Sequence, residues 1–236
     1  MSLQRQVEIA AERAREIKRE RCREEGRVDI IVLVEIYRGP LPVALGFLAA
    51  NTKTIMRDLG LLITGFDADA VVFCNEGYSQ RYEGNNPVTG KPTVMGDYQR
   101  LAEQHDGVAK GWVIETLNTF GANRAGDVIA WSDPYSWDGD VPVFQGGHFL
   151  AKPQGGLPER LIEIMNHPDT TTAYMKWAGG TEGLPGRTER DVIVGKMLSS
   201  QINGHIGLVA YEDQGDRFEE LDRVTEGSAF FKKFEL

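Results

Sequence analysis

Val28-Asp29-Ile30-Ile31-Val32-Leu33-Val34-Glu35-Ile36-Tyr37 is the stretch on which the reading of the fold turns. Six of its ten residues are β-branched, which predicts a strand long enough to be buried on both faces. Beyond it, in residues 41–62, Val43, Phe47, Ala50, Ile55 and Leu59 recur at helical spacing, and Pro42 suits a first helical turn. Gly60 and Gly65 mark the end of that helix. Residues 69–82 begin Ala70-Val71-Val72-Phe73-Cys74 and read as a second strand. The expectation is a β-α-β unit, right-handed if its two strands run parallel.

Downstream, residues 83–96 hold Gly84, Pro87, Gly90, Pro92 and Gly96 and read as an open loop, after which Asp97 caps a short helix through His105. Residues 112–120, 127–135 and 141–150 are apolar runs joined by turn-forming residues, the pattern of an antiparallel meander. The fold class expected is therefore α/β (α+β), with a mixed sheet of about five strands made of a β-α-β unit and then a meander. After Leu150, helical segments are expected at 157–165, 168–177 and 192–202, with residues 206–211 returning as a strand. The domain reading is a charged N-terminal helix (1–26), an α/β core (27–150) and a helical C-terminal extension packed on the core (151–236).

Upstream, residues 3–25 lack Gly and Pro, and Gly26 stands where a helix would stop. Glu8, Glu12, Glu16, Glu20 and Glu24 recur every four residues, and Arg15, Arg19, Arg23 and Arg27 follow three positions behind the last four. Such pairs support an isolated helix by about 0.2–0.5 kcal/mol each. Only Val7, Ala10, Ala14 and Ile17 form an apolar stripe, so the helix reads as a solvated surface element offering itself to the body or to a second copy. Residues 1–27 hold eight basic and six acidic side chains, net +2. The rest holds 18 basic (26 − 8) against 29 acidic (35 − 6), net −11. An acidic body repels phosphate backbones, so nucleic-acid binding is not expected except through the Arg-rich helix.

No run approaches the roughly 18–20 apolar residues of a membrane-spanning helix, and no apolar core of a secretory signal opens the chain. With Cys22 and Cys74 as the sole cysteines, a disulfide framework is not expected, and a cytoplasmic location is.

Candidate chemistry is sparse. The run Thr181 to Thr188 has glycines before Arg187 and Thr188 but lacks the Gly spacing and the Lys of a phosphate loop. His105, His148, His167 and His205 stand apart, so no metal set is legible, and no cofactor is expected. Cys74 lies at the end of an apolar strand with nothing adjacent to activate it. The residues that most need a reason are polar ones inside strands: Glu76, Tyr78 and Arg81, then Glu115 and Asn118, then Asp133 and Tyr135. Alternation predicts that they form the wetted face of a half-covered sheet. A competing reading makes Glu76, Glu115, Asp133 and His148 the catalytic set of a hydrolase, with or without a metal, under a lid that moves on the glycines either side of His148, Gly146-Gly147 and Gly155-Gly156.

The run Asp69 to Tyr78, with residues 113–118 and the turn Asn123-Arg124-Ala125-Gly126-Asp127, resembles small uncharacterised α/β proteins of actinobacteria and their phages. The resemblance implies a sheet of similar order and a bacterial or phage origin, and brings no activity or site residue with it. The function expected is that of a non-enzymatic accessory or interaction protein. Its partner is a second copy or another protein, met through the N-terminal helix.

Overall fold

The computed structural model describes residues 1–29, 32–39, 41–48, 52–150 and 204–208, together with 162, 163 and 165. The chain opens with helix α1 (Leu3–Glu25), capped by Ser2, whose hydroxyl accepts from the Arg5 amide, and closed by Gly26 at φ 82°. Strands β1 (Val32–Arg38) and β2 (Leu41–Leu48), helix α2 (Thr52–Gly65) and strand β3 (Ala70–Gln80) follow. Next come helix α3 (Met95–His105), then β4 (Val113–Asn123), β5 (Val128–Asp138), β6 (Val141–Phe144) and β7 (His148–Phe149). A last strand, β8 (Gly204–Leu208), returns to the same sheet. The strand order is β6-β5-β4-β3-β1-β2-β8, with β7 also pairing β5, and every ladder among the described residues is antiparallel.

The helix expected over residues 41–62 is thus two elements. Residues 41–48 fold back on β1 as a strand, and only Thr52 onward is helical. The run from Pro42 to Gly46 is buried throughout, so its apolar residues fit either a helix face or a strand covered on both sides. Pro42 is accommodated where the register slips: Ile36 pairs Ala44 but Tyr37 pairs Pro42, a bulge that spares the missing N–H. The sheet is not the β-α-β unit plus meander that was expected. Because β1 lies antiparallel between β2 and β3, the parallel pair joined through α2 is β2 and β3, split by β1.

The meander stands, with its third expected strand split into the short β6 and β7, which both pair with β5. Helix α3 starts two residues before Asp97, whose carboxylate accepts from the Val94 amide at 3.0 Å. The strand expected at 206–211 is present at 204–208. Of the helices expected after Leu150, only Ile162, Glu163 and Met165 fall within the described residues, and they are helical. The segments 168–177 and 192–202, and the run Thr181 to Thr188, lie outside them. No helix among the described residues is long and apolar enough to cross a membrane.

Strand alternation sorts the core into two faces. On one, Leu59, Leu62 and Ile63 of α2, with Phe66 just after it, pack with Val34, Ile36, Val71, Phe73 and Met165. On the other, Leu3, Val7, Ala10 and Ala14 of α1 pack with Leu33, Tyr37, Val72, Cys74, Leu117 and Tyr135. Helix α1 comes so close to β4 that a Cβ on Gly121 would sit 2.5 Å from a Val7 methyl, a separation that only glycine permits.

Candidate functional site

The inward face of α1 is Leu3, Gln6, Val7, Ala10, Arg13, Ala14 and Lys18, a 3–4 repeat in which two of the buried positions carry full charges. Arg13 and Lys18 are 5% and 0% exposed, values that demand partners because an isolated ion costs several kcal/mol to bury. The strands supply them. Register places Glu76, Leu117 and Asp133 in one row across β3, β4 and β5, and Tyr78, Glu115 and Tyr135 in the next, on the face that α1 covers. Glu35 lies on the same face of β1, between Leu33 and Tyr37.

Each acid meets a cation or a donor. Arg13 pairs with Glu35, which also accepts from the Tyr37 hydroxyl. Lys18 Nζ lies 2.7 Å from Glu76 Oε1 and donates to the Val28 carbonyl at 2.5 Å. It also sits over the rings of Tyr135 and Trp137, at 5.4 and 5.0 Å from their centroids. The Tyr135 hydroxyl donates to Glu76 Oε2 at 2.8 Å, and Trp137 Nε1 donates to Glu115 Oε2 at 2.5 Å. Arg15 Nε is 3.2 Å from Asp133 Oδ2, which also accepts from Trp131 Nε1 at 3.4 Å.

Burial sets the proton affinities. It pushes the Tyr135 hydroxyl far above its ordinary value, and the Glu76 and Glu115 carboxylates push it further, so the group stays protonated and donates. Asp133 is raised by desolvation, against the opposing pull of Arg15, Trp131, Arg19 and His148. Burial pushes the Cys74 thiol up to about 12, outweighing its hydrogen bond with Thr119, so it is a packed side chain rather than a nucleophile. For Arg13, burial alone would favour the neutral form, but Glu35 and Tyr37 outweigh it and hold the charge.

The sidedness expected from alternation is therefore reversed for the residues nearest α1. Glu76, Asp133 and Tyr135 meet α1 rather than bulk water, and Asp133 and Tyr135 are 0% and 2% exposed; Glu115 is half-buried on the same face against Trp137, and Arg81 is exposed as expected. The four residues of the hydrolase reading do not all meet. Glu76, Glu115 and Asp133 share a face, whereas His148 pairs opposite Ser132, one residue from Asp133 and hence on the other side of the sheet, where it is exposed. No group of three His, Cys, Asp or Glu among the described residues is arranged to hold a metal.

Sequence reasoning missed Arg13, Lys18 and Glu35. The signal was there: Glu35 interrupts an apolar strand, and Arg13 and Lys18 complete the 3–4 repeat of Leu3, Val7, Ala10 and Ala14. No protein-family model matches the chain, and no curated protein or solved structure is similar enough to it to count as a match.

Proposed function

We propose that this chain is a non-enzymatic accessory protein that works through protein–protein contact, with α1 as the presenting element. The observation that carries the reading is the matching of Glu35, Glu76 and Asp133 to Arg13, Lys18 and Arg15: the embedded acids are engaged in holding a helix. A general base needs a carboxylate within reach of a substrate proton, and these carboxylates lie beneath α1, each with one oxygen directed at one of its cations.

The same matching decides what α1 shows to a partner. With Arg13 and Lys18 turned inward, its exposed residues include Glu12, Glu16, Glu20, Glu24 and Glu25 against Arg5 and Arg23. That face suits a basic protein surface and disfavours a phosphate backbone, which weighs against the nucleic-acid reading.

The test uses the full chain as bait in an extract of its source cells, beside a Glu12→Lys/Glu20→Lys/Glu24→Lys variant. A protein held by the first and lost by the second is the expected result. Equal capture by both overturns the assignment of the surface. Turnover of generic ester, phosphoester or glycoside substrates that disappears in Glu115→Gln would transfer the protein to the hydrolase class.

A further inference from the structure

We infer that Lys18 and Glu76 become joined by a side-chain amide, formed by the folded chain on itself, which ties α1 to β3. The inference goes beyond the interaction reading, since the acidic outer face of α1 is the same with or without the bond. It begins with the choice of cation. Two of the three that α1 sets against the sheet are arginines, Arg13 and Arg15, whose guanidinium keeps its proton and does not attack a carboxyl group. The third is a lysine, whose amine does so once a proton leaves it. Lys18 is also the most enclosed of the three, its side chain 0% exposed against 5% and 24%.

The geometry is that of reactants held together. Lys18 Nζ lies 2.7 Å from Glu76 Oε1, and a nitrogen so placed is near the ~3–3.5 Å from the carboxyl carbon at which reacting pairs are held. The Val28 carbonyl accepts from Nζ at 2.5 Å and so fixes the direction of the nitrogen. On the other oxygen, Oε2, the Tyr135 hydroxyl donates at 2.8 Å and is placed to meet negative charge that gathers there. The rings of Tyr135 and Trp137, 5.4 and 5.0 Å from Nζ, wall the pair off, and a site closed to water favours a reaction that expels it. A second carboxylate stands by. Glu115 lies diagonal to Glu76 across β3 and β4 on the same face, with its Oε2 held by the Trp137 indole at 2.5 Å.

The step balances without a cofactor. One proton passes from Nζ to Oε1, leaving a neutral amine beside a neutral acid. The nitrogen lone pair attacks Cδ, the Tyr135 hydroxyl meets the charge on Oε2, and Glu115 carries a second proton from the nitrogen to the departing oxygen. The Cδ–Oε1 bond breaks, water leaves, and a neutral amide replaces two charges that are costly to keep in a dry seat.

The intact mass of the full, folded chain tests this. The bond predicts a chain lighter than its sequence by one water, about 18 Da, and a branched tryptic peptide joining residues 16–19 to residues 58–81. Chain held in urea from the moment of lysis should keep its full mass and lose the water after refolding. Lys18→Arg, which keeps the charge but supplies no amine, should stay at full mass throughout. A folded natural chain at full mass, cut by trypsin after Lys18, overturns the inference. So does a lost water that maps to Asp106-Gly107 or Asp138-Gly139, where an aspartate cyclises onto the next amide. In a Glu115→Gln variant with native circular dichroism, bond formation after refolding should slow by about 100-fold or more, and Glu115→Asp should recover part of the rate. Equal rates in the three chains overturn the relay.

Discussion

Leu59, Leu62 and Ile63 of α2, with Phe66 just beyond it, pack on one face of the sheet mainly through apolar contact, whereas on the opposite face α1 is held also through Arg13, Arg15 and Lys18 meeting Glu35, Asp133 and Glu76. The two solutions answer to different physics. Apolar burial grows with area, roughly 25 cal/mol per Å², and is indifferent to partner identity. A buried ion pair contributes little net energy but makes a mismatched partner expensive, so the α1 face selects its helix where the α2 face simply covers itself. The sheet between them is shared, and the difference lies in which strand residues point to which side and in the helix residues that meet them.

The largest effect that sharpens this contrast is expected at Glu35. Glu35→Ala leaves the Arg13 guanidinium buried and uncompensated, at a cost of about 3–5 kcal/mol in urea unfolding. Arg13→Met together with Glu35→Leu should restore most of that loss. If the double variant is as unstable as the single one, the pair does more than compensate itself. Phe66→Ala on the α2 face should cost a similar 3–5 kcal/mol, from lost transfer energy and a cavity, and no second substitution of charge will rescue it.

A smaller effect is expected at the closest helix–sheet approach. Gly121→Ala forces a methyl within 2.5 Å of Val7 Cγ2 and should lower stability by about 1–3 kcal/mol, while Gly121→Ala with Val7→Ala recovers part of it. An unchanged urea midpoint in the single variant would mean that α1 is seated more loosely than these contacts imply.

The smallest effect concerns protons. Asp133 binds its proton more tightly in the folded chain than in the unfolded one, because burial outweighs Arg15. Its contribution to stability is therefore fully present below the ordinary aspartate range and declines as pH rises through the raised value in the folded state. Asp133→Asn should remove that downward slope from the pH dependence of the urea midpoint and be neutral or stabilising at pH 7. A steeper decline in the variant would show Arg15 to be the dominant influence. On the same face, Cys74 should resist alkylation in the native protein and react only on unfolding, since its thiol is fully buried and raised to about 12.

How much was legible follows from where each signal is local. Helix α1 runs over the residues that the absence of Gly and Pro marks out, and its stop at Gly26 needs no tertiary help. The meander is equally local, because Gly139 and the turn at Asn123 to Asp127 punctuate alternating runs. Residues 41–48 were not legible: an apolar segment buried on both sides carries no period, and pairing with β1 and β8 decided that it is a strand. For the candidate site, the residue types Glu76, Glu115, Asp133 and Tyr135 stood out, but the cations that answer them lie on a helix whose sequence reads as solvated.

The sequence by itself determined the helix, the turns and which strand residues share a face, because helix propensity, glycine placement and the two-residue period of a strand act over short range. Only the tertiary structure decided that β1 lies between β2 and β3, and that the acid-bearing face is the one α1 covers. Alternation sets which side chains lie together but not which side meets water. That choice is made when Arg13, Arg15 and Lys18 find Glu35, Asp133 and Glu76, since charges can enter a core only in matched company.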